Sequence, residues 1–70
     1  MINKLIIRLI NYNKNENIKV FETLETKASY IDEEDDNLIM FTFENLSYEE
    51  SISIINLANY NFTHVQTIID

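Results

Sequence analysis

Every reversal of this chain has to be made without glycine or proline, because neither occurs among its 70 residues. Turns that need a positive φ then fall to asparagine and aspartate, the other residues that tolerate left-handed backbone best. Ten asparagines are present, four of them alternating through Asn11-Tyr12-Asn13-Lys14-Asn15-Glu16-Asn17, and that stretch is read as a hairpin turn. Cysteine is absent too, so no disulfide and no thiolate metal site can staple the fold. A chain this short forms one small domain spanning 1–70, and it buries only about 60% of the surface its unfolded form exposes. Stability must come from close packing or from self-association.

Periodicity marks the elements. In Lys4-Leu5-Ile6-Ile7-Arg8-Leu9-Ile10 the positions Leu5, Ile7 and Leu9 share one side of an extended chain, with Lys4 and Arg8 on the other. Residues 18–31 carry two patterns at once. Ile18, Val20 and Leu24 alternate as in a strand, interrupted by Glu22, whereas Ile18, Phe21, Leu24, Ala28 and Ile31 recur at helical spacing. A long strand is the expectation; a helix would change the topology to alternating strands and helices. Leu38-Ile39-Met40-Phe41-Thr42-Phe43 is apolar on both sides, as in a central strand covered on each face.

Ser47 lies three residues before Glu50, which is capping-box spacing, and Glu49 and Glu50 suit the positive end of a helix dipole. The helix should reach about Tyr60, with Tyr48, Ile52, Ile55, Ala58 and Phe62 on its apolar face and Ile54 and Leu57 falling off it. Thr63 to Ile69 has strand composition. The expected fold is therefore α+β: a small antiparallel sheet with elements ordered β-β-β-α-β and one helix packed on one face.

Charge is distributed unevenly. All five basic residues, Lys4, Arg8, Lys14, Lys19 and Lys27, precede residue 28, whereas Asp32, Glu33, Glu34, Asp35, Asp36, Glu44, Glu49, Glu50 and Asp70 follow it. With a net charge of −7, the later part is a field of one sign. Such a field repels nucleic acid and anionic membrane and attracts basic surfaces. The apolar runs are too short and too interrupted for a bilayer span or a signal peptide, and with no cysteine the reading is a cytoplasmic protein.

The block Asp32-Glu33-Glu34-Asp35-Asp36 has four readings. The plainest is a solvated hairpin tip that discourages edge pairing. A calcium loop of EF-hand type needs a glycine that the chain lacks. A catalytic carboxylate pair needs groups converging from separate segments, which adjacent residues do not supply. The fourth reading is mimicry of nucleic acid, with the block joined by Glu44, Glu49 and Glu50 to fill a cationic groove. His64 is the sole histidine and reads as structural or surface, the four tyrosines and four phenylalanines supply core, and glycine-rich phosphate cradles are excluded.

These readings assign no catalytic residue, metal or cofactor. The favoured function is a non-enzymatic acidic inhibitor that blocks a basic nucleic-acid-binding site, such as that of a nuclease, without itself binding nucleic acid. In size, charge and AT-rich coding, with twelve isoleucines and ten asparagines, the chain resembles small inhibitors of phages and mobile elements, anti-CRISPR and anti-restriction proteins among them. That resemblance is one of composition and carries no residue across. The alternative is a structural or regulatory subunit acting through homodimerisation or helix docking at Ile54 and Leu57, with the acids serving solubility.

Overall fold

In the computed structural model, which describes residues 2–13, 15, 17–35 and 37–70, the chain runs β1 (Ile2–Ile10), α1 (Ile18–Lys27), β2 (Tyr30–Asp35), β3 (Leu38–Leu46), α2 (Tyr48–Asn61) and β4 (Val65–Ile69). The four strands form one sheet in the order β2-β3-β1-β4, every neighbouring pair antiparallel. Although the second strand is Tyr30–Asp35 and not residues 18–31, the α+β class, the antiparallel sheet and the number of strands agree with expectation. The order of elements does not. Residues 18–27 are helical, which makes the chain β-α-β-β-α-β, the split β-α-β topology of ferredoxin-like sheets.

Glu22 explains the difference. A strand would set its carboxylate on the same side as Ile18, Val20 and Leu24, whereas a helix turns Lys19, Glu22 and Glu25 outward and buries Phe21 and Leu24. The threonines that favour a strand are accommodated by bonding back one turn, Thr23 Oγ1 to the Lys19 carbonyl and Thr26 Oγ1 to the Glu22 carbonyl, each at 2.8 Å. Ala28 ends the helix in extended backbone, and Lys27 in the last turn suits the negative end of the dipole.

One hydrophobic core joins the layers. Leu5, Ile7 and Leu9 of β1 and Ile39, Phe41 and Phe43 of β3 are fully buried beneath Phe21 and Leu24 of α1 and Ile54, Ala58 and Phe62 from α2 and its C-cap. Phe41 is the aromatic hub, edge-on to Phe21 at 5.5 Å and tilted against Phe43 at 6.5 Å, while Tyr12 stacks on Phe21 at 5.5 Å. Strand β3 is central, as its two apolar sides imply. Its second side, with Leu38, Met40 and Thr42, lies on a sheet face that no helix covers, beside Ile6, Arg8 and Ile10 of β1.

Helix α2 has the expected capping box, but it sits rotated from the predicted face. The buried line is Ser51, Ile54 and Ala58, while Tyr48 and Ile52 are exposed. Volume decided this: the small Ser51 and Ala58 let the helix approach a sheet filled by phenylalanines, and the Ser51 hydroxyl donates to the Ser47 carbonyl at 3.0 Å, so its burial leaves no orphan. The Asn-rich stretch leads from β1 into α1 and not around a hairpin. Asparagine does replace glycine at positive φ, at Asn11 (53°) and again at Asn45 (56°), directly before the α2 approach.

Candidate functional site: an acidic sheet edge

The acidic block is not confined to a hairpin tip. Asp32, Glu33, Glu34 and Asp35 belong to β2 itself, an edge strand exposed along its whole length; Asp36 lies outside the described residues. In an extended strand, residues advance about 3.3 Å each and alternate between faces. Carboxylates therefore project from both faces of this edge. Asp32 lies opposite Met40 and Glu33 opposite Ile39; the register then slips between Glu33 and Asp35, a bulge that raises local twist. Asp35 Oδ1 accepts from the Asn37 backbone N–H at 2.7 Å and closes the turn into β3.

Among the described residues, one cation approaches this edge. Arg8 projects from β1 onto the uncovered sheet face, donates from Nη1 to Gln66 Oε1 at 2.8 Å, and reaches Glu34 with Nη2 at 4.0 Å. At that distance and exposure the ion pair holds the side chain loosely and leaves the edge strongly negative. Sequence alone put Arg8 on the polar side of its strand but could not show which carboxylate would arrive beside it.

The structure does not gather all the expected acidic residues. Glu44 lies near the far end of β3, six residues or about 20 Å along the strand from Leu38, the partner of Asp35. Glu49 and Glu50 stand at the start of α2, beyond that same end, so the predicted single surface is two clusters. The second is built differently. Glu50 closes the capping box, its backbone N–H donating to Ser47 Oγ at 3.1 Å and its Oε1 accepting from the Ser47 N–H at 3.3 Å. The Ser47 hydroxyl, then the Ser47 backbone N–H, with help from Lys27, hold its carboxyl below the ordinary 4.5, against a small opposing effect of desolvation. Glu50 thus serves the helix first.

Between α1 and α2 runs an open groove of about 420 Å³ with Leu24, Ile54 and Leu57 along it and Lys27, Glu49 and Glu50 at its rim. Ile54, expected as a candidate oligomer residue, is only 4% exposed and belongs to the core, while Leu57 is half-buried in the groove wall. The pair therefore makes no outward seam. His64 is exposed, and its backbone carbonyl accepts from Ile10 N–H at 3.0 Å. Among the described residues no three His, Asp or Glu side chains are grouped to hold a metal ion, and no helix is long and apolar enough to cross a membrane.

Comparison with protein families, curated proteins and solved structures finds no match to this chain. The topology alone does not define an activity, since sheets of this kind carry many.

Proposed function

We propose that the protein is a non-enzymatic inhibitor whose acidic edge strand β2 occupies a basic groove built for nucleic acid on a partner protein, a nuclease being the plainest case. The observation that carries this reading is the edge itself: four consecutive exposed carboxylates, Asp32 to Asp35, on one extended strand. Along the strand axis they supply one negative charge per about 3.3 Å, alternating between the two faces so that each face carries one per about 6.6 Å, against 3.4 Å per phosphate along one strand of DNA. A groove lined by lysine and arginine can neutralise either ladder. Glu44, Glu49 and Glu50 form a second negative patch at the other end of the molecule, available to a partner large enough to reach round it.

Four-stranded sheets are used elsewhere to bind single-stranded RNA, through aromatic residues that stack bases on the open sheet face. Here the central strands offer Ile6, Arg8, Met40 and Thr42 at those positions, with no ring among them, and the nearest aromatic is Tyr30 on the acidic edge. This supports binding to a basic protein in preference to nucleic acid. The size and charge shared with phage-encoded anti-defence inhibitors favour a host nuclease as target and the host cytoplasm as the place of action.

The test is a low-salt pull-down with wild type and a variant carrying Asp32→Asn, Glu33→Gln, Glu34→Gln and Asp35→Asn, each bait then washed with short duplex DNA. A nucleic-acid-binding protein held by wild type alone and displaced by the duplex supports the proposal. Equal retention by both baits, or retention indifferent to DNA and salt, ends it.

A further inference from the structure

The sheet has two free edges, and only one is defended. Edge strands invite pairing with other chains unless charge, proline or a bulge blunts them. Strand β2 carries four carboxylates and a bulge. Strand β4, Val65-Gln66-Thr67-Ile68-Ile69, has no charge and no proline and runs in unbroken register with β1; Ile68 and Ile69 are 46% and 57% exposed. Its composition is that of a strand interior.

The backbone of β4 is set for pairing. Lys4 and Asp70 exchange both N–H···O bonds, at 3.3 and 2.9 Å, and Ile10 N–H donates to the His64 carbonyl, so the even-numbered residues face β1. Val65, Thr67 and Ile69 then direct their N–H and C=O groups away from the sheet. We infer that a second copy of this chain pairs antiparallel along this edge, about a two-fold axis through Thr67, to form a continuous eight-stranded sheet. In that register Thr67 faces the partner's Thr67 and Val65 faces the partner's Ile69, hydrogen-bonded pairs that use every outward backbone group of the strand. The intervening pairs, whose side chains approach most closely, set Gln66 beside the partner's Ile68 and His64 beside the partner's Asp70. A shift of two residues in either direction strands an outward residue and loses the match of imidazole with carboxylate.

The match of His64 with Asp70 across the axis makes the edge complementary to a copy of itself, and charge permits that copy. Two molecules of net charge −7 repel over most of their surfaces, but from Thr63 to Ile69 there is no carboxylate to oppose its twin. The two-fold axis also carries the acidic β2 edges to opposite ends, seven interstrand steps or about 34 Å apart along the sheet. Pairing through β4 does not depend on what β2 binds; if β2 binds a basic protein, the dimer presents that edge twice.

Sedimentation equilibrium tests this directly. The average mass of wild type should climb with concentration from 8.3 kDa toward twice that value, and Thr67→Pro, which removes an outward N–H and leaves the ladder to β1 intact, should stay monomeric with an unchanged far-UV circular dichroism spectrum. Cysteine variants test the register in a chain that has none of its own. Thr67→Cys would meet its twin at a Cα separation of about 5.5 Å and form a disulfide dimer in glutathione buffer, whereas Ile69→Cys, about 13 Å out of register with its twin, should cross-link at least tenfold more slowly. A wild type that is monomeric at every concentration, a dimer that Thr67→Pro leaves intact, or equal cross-linking of the two cysteine variants overturns the inference. Should Thr67→Pro fail to fold, the cysteine pair decides.

Discussion

Replacing Phe41 tests whether α1 is held where the structure places it. The ring is fully buried at the centre of the sheet, edge-on to Phe21 of α1 and tilted against Phe43. Truncating a buried phenylalanine to alanine costs about 3–5 kcal/mol. A chain of this length has a total stability of about 3.5–10 kcal/mol at typical values per residue, so Phe41→Ala should lose about a third of it or more and be largely unfolded at the low end of that range. Phe41→Leu keeps most of the volume and gives up two aromatic contacts worth about 0.5–1.5 kcal/mol each, a loss of about 2 kcal/mol. With an unfolding entropy near 2.1 cal/mol/K per residue, that corresponds to a fall in Tm of about 14 °C. Urea melts followed by circular dichroism measure both variants. A double-mutant cycle with Phe21→Leu then isolates the contact between helix and sheet, and a coupling of about 1 kcal/mol is expected. Additive single effects would mean that Phe21 does not pack on Phe41, and the placement of α1 argued above would be wrong.

Two further outcomes follow from local geometry. Because the Glu50 carboxyl is held below its ordinary value of 4.5 in the folded chain, it stabilises the fold above that pH, and the contribution disappears as pH falls through the lowered value. Glu50→Gln should therefore melt earlier than wild type at neutral pH, and the gap should close on acidification below about pH 4.5; a gap that persists in acid would refute the capping role of the charge. At Asn11, where φ is 53°, Asn11→Ala should cost about 1 kcal/mol and Asn11→Gly should be neutral or stabilising in thermal melts. Equal melting of the two would show that the turn does not need left-handed backbone.

Several features could be read without coordinates because they rest on neighbours along the chain. Alternation gave β1, and apolar residues on both sides gave β3 its central place. The capping box fixed the start of α2, since both partners lie within one turn. Residues 18–27 satisfied two periods at once. Glu22 was the only local sign that the helical one would win, and its cost as a strand residue depends on which side the rest of the sheet buries. The inward face of α2 departs from its hydropathy pattern for a related reason: hydropathy ranks Ile52 above Ser51, but the phenylalanines on the sheet leave room for the smaller residue.

The acidic residues divide along the same line. Their number, sign and concentration after residue 28 are properties of the sequence, and so is the sign of the long-range field they make, which depends little on exact geometry. Their arrangement is not. Only the order β2-β3-β1-β4 turns an acidic run into a defended sheet edge, separates it from Glu49 and Glu50, brings Arg8 to Glu34, and leaves β4 as the unguarded edge on the opposite side. Strand order is set by pairings between residues as distant as Ile6 and Ile68, and a preference expressed over that separation is decided by the packing of the whole core, which no local pattern encodes.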